Sequence, residues 1–134
     1  MVLYGLKIPV TQVVEEALHY RDSKKYDLYV YCLMPNHVHL VFQHLNNASS
    51  SKSFPITEIM KGLKRYTALK CNKTLGRKGA FWQSESYDRV IRNQDELEKT
   101  IRYTLNNPIK AGLVNYWQEW PYNYCKPEFK ESFM

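Results

Sequence analysis

The chain has 134 residues, of which 44% are hydrophobic and 24% are charged, and this size and composition are typical of one globular domain. Its formal net charge is +6 at pH 7, and its pI is about 9.2. No apolar run approaches the length of a membrane span, so these totals exclude the membrane-spanning class and predict no membrane partner.

The first residues and the cysteines indicate a cellular compartment. The start of the chain, MVLYGLKIPV, lacks the basic n-region and the long apolar h-region of a signal peptide. The three cysteines, Cys32, Cys71 and Cys125, fit no C-x-x-C spacing, which argues against a disulfide framework and against a thiolate zinc site. We therefore expect a cytoplasmic protein.

The positive charge is concentrated between Ile56 and Lys78. This segment has seven basic residues and one acid, Glu58, which leaves 12 basic and 12 acidic residues, of 19 and 13 in total, for the rest of the chain. A cationic segment in an otherwise neutral protein favours a polyanionic partner such as nucleic acid, with a solvated helix face as the alternative.

The first half of the chain reads as a helix followed by a hairpin. Helical spacing of apolar residues predicts a helix over residues 10–20, with Thr11 as a plausible cap. A β-rich run at residues 27–33 precedes a turn signal, Pro-Asn at 35–36. The second strand of the hairpin is therefore predicted from His37 to Gln43.

The second half starts after a low-complexity segment, residues 46–53, which predicts a surface loop. Pro55 then begins a second helix. Residues 72–80 read as a loop, residues 81–91 as an extended segment, and Gln94 to Asn106 as a last helix. The second helix carries one apolar stripe, made of Ile56, Ile59, Met60, Leu63 and Thr67.

These elements predict a fold class. If residues 2–8 form a strand, the first six elements follow the order βαββαβ, which is the ferredoxin-like plan, and the last helix follows them. We expect a single α+β domain over residues 1–134, in two layers, with helices packed on an antiparallel sheet. The plan hosts many activities, so the fold alone does not indicate a function.

Two histidines, His37 and His39, lie either side of one valine in the second strand. Because side chains alternate across a strand, both are expected on the same face. An isolated H-x-H is weak evidence of a site, since two half-exposed polar residues on an amphipathic strand are the commoner explanation.

The last helix carries a tyrosine away from its apolar stripe. Tyr103 lies roughly 200° around the helix from Ile101, nearly opposite the expected core, and it shares one edge with Lys99 and Asn107. Pro108 disfavours the α conformation at the preceding residue, so the helix is predicted to end at Asn107. A surface tyrosine and a C-terminal cap are the alternatives to functional roles for Tyr103 and Asn107.

Three blocks of the chain, taken together, resemble a known family. MPNHVHLVF, GLKRYTALKCNKTLGRKGAFWQSESYDRVIRN and YTLNNPIKAGLV are similar to the single-tyrosine HUH transposases, most closely to the REP-associated tyrosine transposases. The similarity runs from about Thr11 to Tyr122, with the blocks in the family's order. One H-x-H is a weak signal, but three blocks in order are a strong one.

The resemblance implies roles for four residues. His37 and His39 would hold a divalent metal, Asn107 would complete its ligand set, and Tyr103 would be the nucleophile. A tyrosine hydroxyl is a weak nucleophile until a metal or a base assists it, and a metal can polarise the scissile phosphate. Imidazole ligands beside an oxygen suit Mn²⁺ better than an all-oxygen Mg²⁺ site, although either ion could serve.

The implied activity is that of a metal-dependent transposase that nicks and rejoins single-stranded DNA, recognised as a hairpin. The products would be a 5′-phosphotyrosine and a free 3′-hydroxyl, and the link would conserve the energy needed to join a second strand. The alternative is a catalytically inactive nucleic-acid-binding module on the same fold. The residues expected to hold the DNA backbone are Lys61, Lys64, Arg65, Lys70, Arg77 and Lys78.

The chain also departs from the family's pattern. Relatives have a longer segment, with a central strand, ahead of the first helix. Here residues 2–8 could supply that strand, a second copy in a homodimer could supply it, or the reading frame is shortened at its start. Arg89 stands where many relatives have a histidine. An aromatic tail could stack on bases or cap the core, and it comprises Tyr116, Trp117, Trp120, Tyr122 and Tyr124.

Overall fold

A computed structural model of the chain describes residues 8–45, 56–82 and 90–133. Residues 2–7 of the predicted first strand, the predicted loop at residues 46–53, and residues 83–89 of the predicted extended segment, which include Arg89, lie outside these ranges. In chain order the elements are helix α1 (Ile8–Arg21), strand β1 (Tyr26–Met34), strand β2 (His37–His44), helix α2 (Ile56–Leu75), helix α3 (Gln94–Lys110) and strand β3 (Asn123–Cys125).

The three strands form an antiparallel sheet in the order β2-β1-β3. The β1–β2 hairpin closes at the predicted Pro-Asn turn, with Met34 opposite His37. The predicted α+β class with an antiparallel sheet is confirmed. Strand β3 was not predicted, because three residues are too few to show an alternation and its pairing with β1 is non-local.

Both faces of the sheet carry a core, and a β-bulge in β1 changes which residues of that strand point to each face. The register with β2 shifts between Leu28 and Val30, so the alternation of side chains changes phase there. Leu28 and Tyr31 therefore share one core cluster, although they are three residues apart, whereas Val30 belongs to the other.

Each face of the sheet is covered by different helices. Buried residues of α1 and α2, such as Val14 and Leu63, pack against Leu28 on one face. Ile101 and Leu105 of α3 pack against the other face, together with residues of β1, β2 and β3. Helices α1 and α2 thus form the two-layer plan with the sheet, and α3 adds a third layer. None of the helices in the described ranges is both long and apolar enough to cross a membrane.

The first two helices differ from the sequence prediction at their ends. Helix α1 already includes Ile8, so Thr11 is not its cap; it lies inside the helix and is buried. Helix α2 runs to Leu75. The loop that was predicted from residue 72 therefore begins at residue 76, four residues later than predicted. Buried Cys71 extends the apolar stripe by one turn, and Gly76, whose φ is 63°, follows the last helical residue, as is common after helices.

The prediction that α3 ends at Asn107 is wrong. Asn93 caps the start of α3, because its Oδ1 accepts a hydrogen bond from the Glu96 N–H at 2.8 Å, and the helix then continues through Pro108 to Lys110. Pro108 is buried one turn after Leu105 on the core stripe, so core packing keeps the helix intact past the proline. Asn107 is therefore held within a helix and is not a cap.

The aromatic residues after α3 mostly take the second of their two predicted roles, capping the core. The indole N–H groups of Trp117 and Trp120 donate hydrogen bonds to backbone carbonyls at 2.6 and 3.0 Å. Tyr122 and Tyr124 pack against the core that contains α1 and α2. Tyr116, at 67% exposed, is free to contact other molecules.

Candidate active site between strand β2 and helix α3

His37 and His39 project from β2 towards the face that α3 covers. Their ring centroids are 4.7 Å apart with the rings nearly perpendicular, and both side chains are half-buried. The shared face is what the two-residue period of a strand requires. Val38 points to the opposite core, so at this end of the strand one side packs in a core and the other side carries the two histidines.

The turn before β2 orients the first histidine. Asn36 Oδ1 lies 2.6 Å from Nδ1 of His37, and an amide oxygen can only accept, so this contact favours the tautomer with a proton on Nδ1. Nε2 of His37 then carries the lone pair. A fixed tautomer of this kind is typical of histidines that ligate metals.

Asn107 of α3 contacts the histidines directly. Its Nδ2 lies 2.9 Å from Nε2 of His39, a distance at which the amide N–H donates to the imidazole lone pair. Burial, with a smaller contribution from repulsion by His37, lowers the pKa of His39 to about 4. Burial also lowers the pKa of His37, against the opposing effect of a hydrogen bond with Asn107. Both rings are therefore neutral at neutral pH.

Tyr103 lies beside this cluster, one helical turn before Asn107. Its ring meets the ring of His39 edge to face, with the centroids 5.7 Å apart, and 54% of the residue is exposed. The structure thus brings together the four residues that the resemblance singles out, two from β2 and two from α3. Their roles in metal binding and catalysis stay a prediction.

These side chains fit a divalent metal by their chemistry. Within the described ranges, no three His, Cys, Asp or Glu side chains gather in a metal-binding arrangement, so a site here would use an amide as its third protein ligand. The amide of Asn107 presents Nδ2 to His39, and the same group turned over presents Oδ1, a metal ligand. Two neutral imidazoles and one amide oxygen suit Mn²⁺ or Mg²⁺ with open coordination positions.

Cations surround the exposed side of Tyr103, and the sequence reasoning missed most of them. The ammonium nitrogen of Lys110 lies 5.7 Å from the centroid of the Tyr103 ring. The sequence placed Lys99 on the same helix edge as Tyr103. Lys110 was missed because the helix was predicted to end at Asn107, so no helical position was assigned to it. With α3 continued through Pro108, the spacing alone would place Lys99 and Lys110 on the same side. An open depression of about 290 Å³ lies here, lined by Lys99, Arg102, Tyr103, Asn106 and Lys110.

The basic residues predicted to bind DNA lie elsewhere. Helix α2 packs on the opposite face of the sheet from α3, so its cations are not part of the histidine and tyrosine cluster. Lys64 is half-buried, and Arg77 donates a hydrogen bond to the Ala80 carbonyl at 3.0 Å. Apart from Lys64, all the predicted residues are exposed, namely Lys61, Arg65, Lys70, Arg77 and Lys78.

Comparisons with known proteins agree with the resemblance. The family model described as Transposase IS200 like matches residues 6–107. A protein of Haemophilus influenzae that carries the name REP-associated tyrosine transposase is 27% identical over 97 residues, which cover 69% of this chain and 54% of that protein. The chain therefore spans about half the length of this curated relative.

A solved structure shares the fold. It is described as a REP-associated tyrosine transposase bound to a REP hairpin, and it superposes with a TM-score of 0.72 at 16% identity. The match covers 91% of this chain and 71% of that one. Because the family model spans most of the chain, and the relatives in sequence and in fold agree with it, this chain belongs to the IS200-like transposase family.

Proposed function

We propose that this protein nicks and rejoins single-stranded DNA through a covalent bond between Tyr103 and a 5′ phosphate. The observation that carries the proposal is the contact of the Tyr103 ring with His39, whose Nε2 lies 2.9 Å from the amide of Asn107. An exposed tyrosine beside two neutral imidazoles has the ingredients of an assisted nucleophile.

The proposed reaction exchanges one ester bond for another. The Tyr103 hydroxyl loses its proton to solvent, and its oxygen attacks the phosphorus while the bond to the 3′ oxygen breaks. The departing oxygen takes up a proton and becomes a 3′-hydroxyl, leaving a 5′-phosphotyrosine. Attack by another 3′-hydroxyl reverses these steps and releases the tyrosine, so rejoining needs no ATP.

The protein's own residues hold the reacting groups in place. Tyr103 is presented from the middle of a helix whose next turns pack in the core, so its ring position is defined on one side by His39. His37, His39 and Asn107 would hold a divalent metal, Mn²⁺ or Mg²⁺, which would stabilise charge on the scissile phosphate. Asn36 would keep the lone pair of His37 on Nε2.

The DNA that we propose is a hairpin with unpaired flanks. A relative of the same fold is described as bound to a REP hairpin, and the family's chemistry acts on single strands. The basic residues of α2 and of the segment that follows it would hold the phosphate backbone of the DNA away from the site of chemistry. The proposed contacts are Lys61, Lys64, Arg65, Lys70, Arg77 and Lys78.

A covalent-adduct assay tests the proposal. The probe is a 3′-labelled hairpin oligonucleotide with randomised single-stranded flanks, incubated with the full chain and Mn²⁺ and separated on a denaturing gel. The 3′ label stays on the fragment that carries the 5′ phosphate, so wild type should give a labelled protein band. Tyr103→Phe should abolish the band, because it removes only the attacking hydroxyl.

Tyr66→Phe is the matched control. Tyr66 is 42% exposed and lies on α2, so the same substitution there should leave the adduct unchanged. If Tyr103→Phe forms the adduct as well as wild type, the nucleophile is assigned wrongly. If wild type binds the probe but forms no adduct with Mn²⁺ or Mg²⁺, the alternative of an inactive binding module replaces the proposal.

A further inference from the structure

The depression beside Tyr103 is strongly cationic. Its five lining residues include Lys99, Arg102 and Lys110 and no acid. Within the described part of the chain, no ion pair neutralises these three side chains. Arg102 and Lys110 lie instead over aromatic rings, 5.3 Å from the centroid of Phe133 and 5.7 Å from that of Tyr103, contacts that leave their charge in place.

Tyr103 separates this depression from the histidine cluster. At about 100° per residue, Asn107 lies roughly 40° to one side of Tyr103 around the helix, whereas Lys99, Arg102 and Lys110 all lie on the other side. The tyrosine therefore has candidate metal ligands on one flank and unpaired cations on the other.

The cations also extend along the helix in both directions from the tyrosine. Lys99 and Lys110 are eleven residues apart, about three turns, so they lie on the same side of the helix, one above the other along its axis. At about 1.5 Å per residue, Lys99 is roughly 6 Å before Tyr103 and Lys110 is roughly 10 Å after it. Cations spaced along the helix in this way can contact successive phosphates of one DNA backbone, and an extended single strand presents such a backbone.

We infer that the depression binds the backbone of the unpaired DNA strand that Tyr103 attacks, with Lys99, Arg102 and Lys110 on phosphates that flank the scissile one. The inference rests on the proposed function for the identity of the strand. The binding that it describes needs neither a metal nor cleavage, so it can be measured separately from the reaction. The site differs from the basic residues of α2 in position and in the part of the DNA that it holds.

The test is equilibrium binding of a fluorescein-labelled 20-nucleotide oligothymidylate to the full chain in EDTA, over a series of salt concentrations. The variant Lys99→Ala/Arg102→Ala/Lys110→Ala should weaken binding by on the order of 10- to 100-fold near 0.1 M salt. The slope of log affinity against log salt should fall by about 2, since each lost phosphate contact on a single strand contributes about 0.7.

The control removes the same residue types from other surfaces. Lys24→Ala/Arg92→Ala/Lys130→Ala also deletes two lysines and one arginine, all exposed, and changes the net charge equally. It should leave the slope nearly unchanged. The charge-preserving variant Lys99→Arg/Arg102→Lys/Lys110→Arg should bind as wild type does, which separates lost charge from lost folding.

Two results would overturn the inference. Equal losses in the depression variant and in the control would mean that only the net charge matters, and an unchanged slope in the depression variant would mean that the strand lies elsewhere. Neither result bears on the proposed reaction, which is decided by the adduct assay. Conversely, failure of wild type to form an adduct would leave the binding measurement valid.

Discussion

Helices α2 and α3 both carry basic residues, lie on opposite faces of the sheet and differ in what surrounds those residues. The segment around α2 carries seven basic residues and one acid, and it is remote from the histidines. Helix α3 carries three basic residues and three acids, so it has no net charge, but its basic residues flank Tyr103, which contacts His39. Charge density identifies a surface for a polyanion, whereas reactive side chains in contact identify where chemistry can occur.

The difference also gives the two helices separable roles. Backbone contacts on α2 would hold DNA irrespective of its sequence, and contacts on α3 would place one phosphate against one hydroxyl. Substitution of cations on α2 should therefore weaken binding to DNA without abolishing the reaction. Substitution of His39 or Tyr103 on the other face should abolish the reaction and leave that binding nearly unchanged.

The largest effect on the yield of covalent adduct is expected from removing a histidine on the side of β2 that faces α3. His39→Ala should reduce the covalent adduct to background, because it deletes a proposed metal ligand that also contacts Asn107 and Tyr103. EDTA should have the same effect on wild type. The denaturing gel with labelled hairpin and Mn²⁺ measures both.

His44→Ala is the matched control, since His44 ends the same strand but lies an odd number of residues from His39 and so faces the other side. It should keep most of the adduct. Equal loss in both variants would show that the strand, rather than the cluster facing α3, is what the reaction requires.

A leucine-to-alanine substitution in either core should lower the stability of the protein strongly, but only one of the two should also lower its activity. Leu63 on α2 and Leu105 on α3 are both essentially fully buried, so replacing either with alanine should lower the free energy of unfolding by about 2–5 kcal/mol. Urea titration measures the loss. At a temperature where both variants remain folded, Leu105→Ala should also reduce adduct formation, because Leu105 seats α3 on the sheet, and Leu63→Ala should not.

The two leucine variants sharpen the comparison, because they match in residue type and burial and differ only in the face of the sheet. Similar adduct yields from both folded variants would contradict the view that the seating of α3 positions Tyr103.

The smallest effect, a change in DNA binding, is expected from substituting the basic residues of α2. Lys61→Ala/Arg65→Ala removes two exposed cations, and it should weaken binding to unrelated duplexes about equally. The salt slope for duplex DNA should fall by about 2, at roughly 0.9 per phosphate contact. Fluorescence anisotropy over a salt series measures this change, with Lys24→Ala/Lys130→Ala as a charge-matched control. An unchanged slope would remove α2 from the DNA-binding surface.

Much of the fold could be predicted because it follows from short periods in the sequence. The helical stripe of α2, the β1–β2 hairpin and the placement of Tyr103 opposite Ile101 all depend on residues within a few positions of one another. The end of α3 could not be predicted in this way. The local preference at Pro108 favours termination, and the burial of that proline in the core overrides it.

The sequence by itself determined that His37 and His39 share a face and that Tyr103 and Asn107 share an edge, because the repeat of a strand or helix sets both. Only the tertiary structure decided that this face and this edge meet. The sheet has a second apolar face, made by Val30, Val41 and Cys125 from its three strands, and α3 packs there. Asn107 thereby comes within 2.9 Å of His39 across 68 positions of the chain, a contact that no local period specifies.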